Sequence, residues 1–111
     1  MAIQQNLYID AGATFSTQIT LYSNDGITPL NISAASFASQ MRKSYTSSSS
    51  ITLTCGTGVA ANGELILSLT DSQTTAIKPG RYIYDVEMVY QGQKVRVIEG
   101  IITVTPQITQ I

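Results

Sequence analysis

The chain has 111 residues, of which only 12% are charged, with six Lys or Arg against seven Asp or Glu and no histidine. The formal net charge of −1 leaves no basic patch for a nucleic acid or for an anionic membrane surface, so we expect neither as a partner. The length suits a single domain over residues 1–111, and so little charge favours association with other proteins.

Two further features bear on where the chain is made and kept. The opening MAIQQNLYID has no basic region followed by an apolar run, and no stretch approaches the roughly 18 apolar residues of a membrane helix. We therefore expect a protein made in the cytoplasm. The single cysteine, Cys55, has no partner for a disulfide, and we expect a buried or half-buried apolar residue there.

Apolar residues recur at every second position in most of the chain, which is the pattern of strands with one buried face. In chain order, these segments lie at 7–9, 15–21, 37–42, 51–55, 65–69 and 80–104. Turn-forming residues separate them, including Ala11-Gly12-Ala13, Asn24-Asp25-Gly26 and Asn62-Gly63. The pattern predicts an all-β fold, specifically an antiparallel immunoglobulin-like β-sandwich of about seven strands.

Three stretches interrupt the alternation. Residues 31–36 are compatible with a single helical turn or with an irregular bridge between sheets. Residues 70–77 begin with Thr70 or Asp71 as a helix N-cap and stop at Lys78-Pro79-Gly80, which predicts one short helical turn. The serine-rich residues 45–50 are expected to form a mobile loop between strands.

The C-terminal segment GRYIYDVEMVYQGQKVRVIEGIITV, residues 80–104, is a predicted long hairpin that turns at Gln91-Gly92-Gln93. If the pairing is centred on Gly92, the following residues face each other: Tyr82 and Ile102, Tyr84 and Gly100, Val86 and Ile98, and Met88 and Arg96. The Tyr84 ring is then expected to lie across the bare backbone of Gly100. One face of the hairpin is apolar and is expected to line the core.

The opposite face of the hairpin carries Asp85, Glu87 and Glu99. The expected register places Asp85 directly opposite Glu99, which is unfavourable unless a bulge shifts the register or a cation approaches from Arg42, Lys43, Arg81 or Arg96. Paired carboxylates also occur in glycosidases and divalent-ion sites. The chain has no histidine and no tryptophan to support such a site, so we expect a solvated face.

Other chemical motifs are missing from the sequence. There is no glycine-rich phosphate loop, and no serine has a histidine to activate it, so we expect no enzyme and no cofactor or metal. Most of the six tyrosines are expected in the core and hairpin. Tyr90, next to the turn, is the best candidate for an anchor on a partner surface.

The motifs that remain are Asp25-Gly26 with Pro29-Leu30, Gln40-Met41-Arg42, GRYIYDVE from Gly80, RVIEG from Arg96, and PQIT from Pro106. With these motifs, the chain resembles small phage and prophage virion structural proteins with an immunoglobulin-like sandwich, including the attachment domains of baseplate upper proteins. The resemblance runs almost from end to end of the chain.

The resemblance implies a structural protein of the virion, of the tail, baseplate or fibre-attachment region, whose partners are other virion proteins and its own copies. Its assembly candidates are residues of the C-terminal hairpin: Tyr82, Tyr84, Asp85, Glu87, Tyr90, Arg96, Glu99 and Gly100. Two alternatives stay open, a capsid decoration protein and a carbohydrate-binding or host-surface adhesion module that contacts a glycan through Tyr45, Tyr90 and the serine loop.

If the protein assembles, the chain ends are predicted to take part. Residues 4–9 and 107–111 are strips of alternating apolar and polar residues, and a strand there is expected to add to a neighbour's sheet. Deletion of residues 105–111 is expected to leave a folded protein with impaired assembly.

Overall fold

A computed structural model of the protein describes residues 3–23 and 26–106. The fold is all-β, with one short helix and one 3₁₀ turn. The elements in chain order are β1 (Ile3–Gln4), β2 (Leu7–Asp10), β3 (Phe15–Thr20), β4 (Ser36–Arg42), β5 (Ile51–Thr57), the 3₁₀ turn Ala60–Asn62, β6 (Glu64–Leu69), α1 (Asp71–Thr75), β7 (Gly80–Tyr90) and β8 (Gln93–Thr105).

The strands form one curled sheet in the order β1-β8-β7-β4-β5-β6-β3, and β2 also pairs with β8. The curl comes from β5, which changes partners along its length. Its first half pairs with β4 through Leu53, and its second half pairs with β6 from Thr54 onward. This change of partner lets the sheet close towards a half-barrel around its apolar face.

The expectation of purely antiparallel pairing is wrong for the N-terminal strands. Both β1 and β2 run parallel to β8, so the sheet is mixed. The backbone amide of Gln5 donates to the carbonyl of Glu99 at 2.9 Å, and that of Ala11 donates to the carbonyl of Thr105 at 3.0 Å. Alternation of side chains marks a strand but carries no information on the direction of its neighbour, so the sequence pattern gave no sign of this pairing.

The same pairing bears on the chain ends, which are predicted to add to a neighbour's sheet. Residues 4–9 already share backbone hydrogen bonds with β8, so one side of this strip is taken. Thr105 is the last residue of β8 and its hydroxyl donates to Asp10 at 2.7 Å. A deletion that starts at Thr105 therefore removes ladder contacts. Residues 107–111 lie outside the described part of the chain.

The short helix predicted near residues 70–77 is confirmed as α1. Thr70 is its N-cap and forms a capping box with Gln73, each side chain bonding the other residue's backbone N–H. The buried hydroxyl of Thr74 accepts from the Gly12 amide at 3.1 Å and donates to the Ala13 carbonyl at 2.8 Å. The helix thus fixes the turn between β2 and β3. Residues 31–35 form an irregular turn rather than a helix.

The core lies on the concave side of the sheet and includes the predicted apolar face of the C-terminal hairpin. That face is buried throughout: Tyr82, Tyr84, Val86, Met88, Ile98, Ile102 and Val104. Leu53, Leu65 and Leu67 pack opposite it from β5 and β6. At about 1.5 to 3 kcal/mol for each large side chain, burial of these residues is the main force that holds the two halves of the sheet together.

Candidate functional site

The C-terminal hairpin carries all the candidate residues, and its turn is tighter than expected. Tyr90 pairs with Gln93, so only Gln91 and Gly92 form the turn. Both have positive φ, 51° and 77°, as a type I′ turn requires. Such a turn matches the right-handed twist of the flanking strands, which favours two residues over the three expected.

A bulge then restores the expected register farther from the turn. Tyr82 faces Ile102, Tyr84 faces Gly100 and Val86 faces Ile98, as predicted. The register shifts between Val86 and Glu87, where Val97 is the extra residue on β8. Met88 consequently faces Val95, and the predicted pair of Met88 with Arg96 is wrong. Because β8 has one extra residue at the bulge, the apolar side chains of both strands face the core on the far side of it, although the turn has only two residues.

Tyr84 and Gly100 together hold the N-terminal segment on the sheet. The Tyr84 hydroxyl donates to the carbonyl of Gln5 at 2.5 Å, and the Asn6 side chain accepts from the Ile101 amide at 3.1 Å. A Cβ at position 100 would lie 2.2 Å from the Gln5 carbonyl oxygen, so this approach requires glycine. Burial raises the pKa of the Tyr84 hydroxyl, which keeps it a hydrogen-bond donor.

Asp85 and Glu99 face each other directly, and Arg96 is the cation that comes to the pair. Its Nε lies 3.2 Å from Asp85 Oδ2 and its Nη1 lies 3.4 Å from Glu99 Oε1. The side chain of Gln4 donates to the other Glu99 oxygen at 2.8 Å. The bulge leaves Asp85 opposite Glu99, so the remedy present is the cation; by pairing Arg96 with Glu87, the bulge places Arg96 on the same face as the two carboxylates.

The other three candidate cations serve elsewhere or make no ion pair in the described chain. Lys43 lies over the Tyr82 ring, with Nζ 4.5 Å from its centre. Arg42 donates to the Ser47 carbonyl at 2.7 Å and to the Gln40 side chain at 3.1 Å, which ties the serine-rich loop to β4. No contact of the Arg81 side chain is resolved among the described residues.

The polar face of the hairpin opens into a groove of about 540 Å³, which we call the outer groove. It is lined by Gln4, Gln40, Arg42, Tyr45, Ile83, Tyr84, Asp85, Glu87, Arg96, Glu99, Gly100 and Ile101. Six of the eight assembly candidates thus meet there, all except Tyr82 and Tyr90. Tyr45 stands at its rim with 86% of its surface exposed.

Tyr90 and Tyr8 differ in how far they are exposed. Tyr90, the predicted anchor for a partner, is half-buried and packs against the core. Tyr8, on β2, is 71% exposed and was not singled out from the sequence. Its position between buried Leu7 and Ile9 is the signal that places it outward, since side chains alternate along a strand.

A second groove, of about 390 Å³, separates β2 from β3. We call it the seam. It is lined by residues 5–8, 10 and 13–17, of which Asp10 is the sole charged one. Within residues 3–23 and 26–106, β3 pairs with β6 and with no second strand, so its other edge faces the seam.

Ionisable groups elsewhere do not gather into a reactive cluster. Over the described ranges, no three His, Cys, Asp or Glu side chains are placed to share a metal ion. Cys55 is half-buried as predicted, and burial raises the pKa of its thiol. Within the same residues, no helix has the length and hydropathy needed to cross a membrane.

Comparison with known proteins bears on the fold alone. No protein-family model matches the sequence, and no curated protein matches it either. Among solved structures, the fold is similar to the crystal structure of InlP from Listeria monocytogenes, with a TM-score of 0.53 and 16% sequence identity. The match covers 94% of this chain but only 28% of InlP, so the chain spans little more than a quarter of that protein's length.

Proposed function

We propose that this protein is a non-enzymatic structural component of a phage virion, of the tail, baseplate or fibre-attachment region, that works by docking to other virion proteins and to its own copies. It would be made in the host cytoplasm and act in the assembled particle. The position in a virion rests on the sequence resemblance.

The observation that carries the non-enzymatic part is how the polar groups of the hairpin are used. Arg96 forms ion pairs with both Asp85 and Glu99, Gln4 donates to the other Glu99 oxygen, and the Tyr84 hydroxyl is bonded to Gln5. Asp85 is bonded within the hairpin and Glu99 also bonds the hairpin to β1, which supports a structural use of the pair.

The test is to locate the protein. Purified particles should contain it in a fixed ratio to known virion proteins, and labelled antibodies should mark one region of the particle by electron microscopy. A position on the capsid surface would favour the decoration-protein alternative. If intact particles lack the protein, the proposal is wrong.

We infer further that the sheet is an immunoglobulin-like sandwich. Its two halves, β5-β6-β3 and β4-β7-β8, match in strand order the D-E-B and C-F-G sheets of that fold. The Tyr82 hydroxyl, near the start of β7 and just after α1, donates to the Lys78 carbonyl at 2.7 Å. This bond has the form of the tyrosine corner of immunoglobulin-like domains. An experimental structure with the two halves facing each other across a common core would test this inference.

A second function, glycan binding, is favoured by the outer groove. Carboxylate, amide and guanidinium groups converge there beside the exposed Tyr45 ring, and sugars are bound by such polar groups with an aromatic ring against their apolar face. Titration with a panel of bacterial surface glycans would detect binding, and Tyr45→Ala should abolish it. Tyr8→Ala is the matched control, since Tyr8 is exposed but lies outside this groove. Absence of binding across the panel would exclude this function.

A further inference from the structure

The free edge of β3 has a defined set of hydrogen-bonding groups. The Leu21 amide donates to the Gly63 carbonyl at 2.8 Å, in the same register as the rest of the β3–β6 ladder. The Gly58 amide donates to the Glu64 carbonyl at 2.9 Å, so the even-numbered residues of β6 bond to β5 and the odd-numbered ones to β3. By this alternation, the N–H and C=O groups of Ser16, Gln18 and Thr20 point away from β6.

Nothing in the strand protects this edge. Residues 15–21 read FSTQITL, without charge, proline or glycine, and the β3–β6 register is unbroken. Natural sheets usually block exposed edges with lysine, proline or a bulge, because an open edge pairs with other strands. The seam leaves open space beside the N-terminal half of the strand.

The strand is also chemically symmetrical about Gln18. One step away on either side stand Thr17 and Ile19, both β-branched and half-buried. Two steps away stand the hydroxyl residues Ser16 and Thr20. Three steps away stand two large apolar residues, Phe15 and Leu21, both buried. An antiparallel partner with the same sequence therefore matches like with like at every position.

We propose that two copies of this protein pair antiparallel through β3, about a two-fold axis that passes through Gln18. Each copy presents the backbone groups of three residues, so about six hydrogen bonds form across the axis. Hydroxyl side chains pair on the outer face, where Ser16 meets Thr20 of the second copy, and β-branched ones pair on the inner face. A net charge of −1 per copy produces little repulsion between them.

The proposed function includes binding of the protein to its own copies, and this inference names the strand through which they bind. It rests on the proposed function only for the place where the dimer would act. A dimer that never enters particles would leave the inference intact and contradict the virion assignment. If the protein is found in particles but is monomeric in solution and unpaired at β3, the virion assignment stands and this inference is wrong.

The first experiment uses charge at the symmetry axis, where residue 18 meets its own copy. Dimerisation of the wild-type chain is measured by analytical ultracentrifugation. Gln18→Lys and Gln18→Glu should each weaken it by about tenfold or more, because like charges then face each other. An equimolar mixture of the two variants should recover a heterodimer, which a folding defect would not allow.

Thr54→Lys is the matched control. Thr54 is exposed and lies in the same row across the sheet as Ser16, with Ser68 between them. A lysine there adds the same charge to the same face, two strands away from the edge, and should leave dimerisation unchanged. A wild-type chain that stays monomeric at high micromolar concentration overturns the inference. So does a dimer that tolerates Gln18→Lys.

A second experiment tests the register. Opposed residues of a hydrogen-bonded antiparallel pair have Cα atoms about 5.5 Å apart, within the range of a disulfide. Gln18→Cys in a Cys55→Ser background should therefore give a covalent dimer on mild oxidation, and Thr54→Cys in the same background should not. Equal crosslinking of both variants would show random collision and contradict the proposed axis.

Discussion

The hydroxyl of Tyr84 donates a hydrogen bond of 2.5 Å to the carbonyl of Gln5, although the two residues are 79 positions apart. This contact joins β7 to the segment between β1 and β2, across the strand β8 that lies between them. The bare backbone of Gly100 is what lets the Gln5 carbonyl come close enough. The hairpin residues that stand out in the sequence thus fasten the N-terminal strands to the sheet.

Removal of the Tyr84 hydroxyl should loosen this fastening. Tyr84→Phe keeps the ring over Gly100 but leaves the Gln5 carbonyl without its donor, so we expect a loss of about 1–2 kcal/mol in the free energy of unfolding. Urea denaturation measures the loss, and faster amide exchange at Gln5 should accompany it. Tyr8→Phe is the control, because the exposed Tyr8 side chain should contribute less than about 0.5 kcal/mol. Equal losses in the two variants would contradict the role given to Tyr84.

Gly100→Ala should displace the N-terminal strands. The added Cβ would meet the Gln5 carbonyl oxygen at 2.2 Å, and backbone cannot move aside as a flexible side chain can. We expect a loss of about 1–3 kcal/mol, measured from the urea midpoint, with loss of exchange protection in β1 and β2. Gly56→Ala is the control, because a Cβ there has no atom within 4 Å and the backbone of Gly56 does not have positive φ.

Stability should fall at alkaline pH because of Tyr84. Burial raises the pKa of its hydroxyl above the ordinary value of 10.0, so above that pH the unfolded chain releases a proton that the folded chain retains. The contribution is complete below pH 10.0 and is lost as pH rises towards the folded-state pKa. Urea midpoints measured from neutral pH upward should show the fall, and Tyr84→Phe should reduce it. An unchanged slope in the variant would contradict this assignment.

Arg96 should matter most at low salt. Arg96→Met leaves Asp85 opposite Glu99 without their shared cation, and we expect a loss of about 0.5–1 kcal/mol, since all three side chains are partly exposed. Added salt screens the repulsion, so the variant should recover stability relative to the wild type. The double variant Arg96→Met with Glu99→Gln removes the like-charge pair and should regain most of the loss without salt. A salt-independent deficit would point to lost packing of the arginine stem instead.

Features that depend on neighbouring residues were predictable from the sequence. Apolar and polar residues alternate in 15–21, 51–55 and 65–69. This pattern is a local property, because a strand with one buried face needs an apolar residue at every second position, whichever strand it pairs with. The start of the short helix near Thr70 and the position of the turn around Gly92 are equally local, since each is set by the φ preferences and side-chain hydrogen bonds of a few consecutive residues. The pairing of Tyr84 with Gly100 was predicted from a three-residue turn centred on Gly92, and it holds because the bulge at Val97 makes up for the shorter turn.

Features that join distant segments were decided by the tertiary structure. The parallel direction of β1 and β2, the partner change in β5 and the bulge at Val97 each depend on contacts between segments far apart in the chain. The outer groove likewise exists only because Gln4 and Tyr45 are brought beside Asp85 and Arg96. A strand's sequence specifies which of its side chains face the core. It does not specify which strand lies beside it or in which direction, because the backbone groups that form the hydrogen bonds are the same for nearly every residue type. Those two features are decided by the packing of the whole chain.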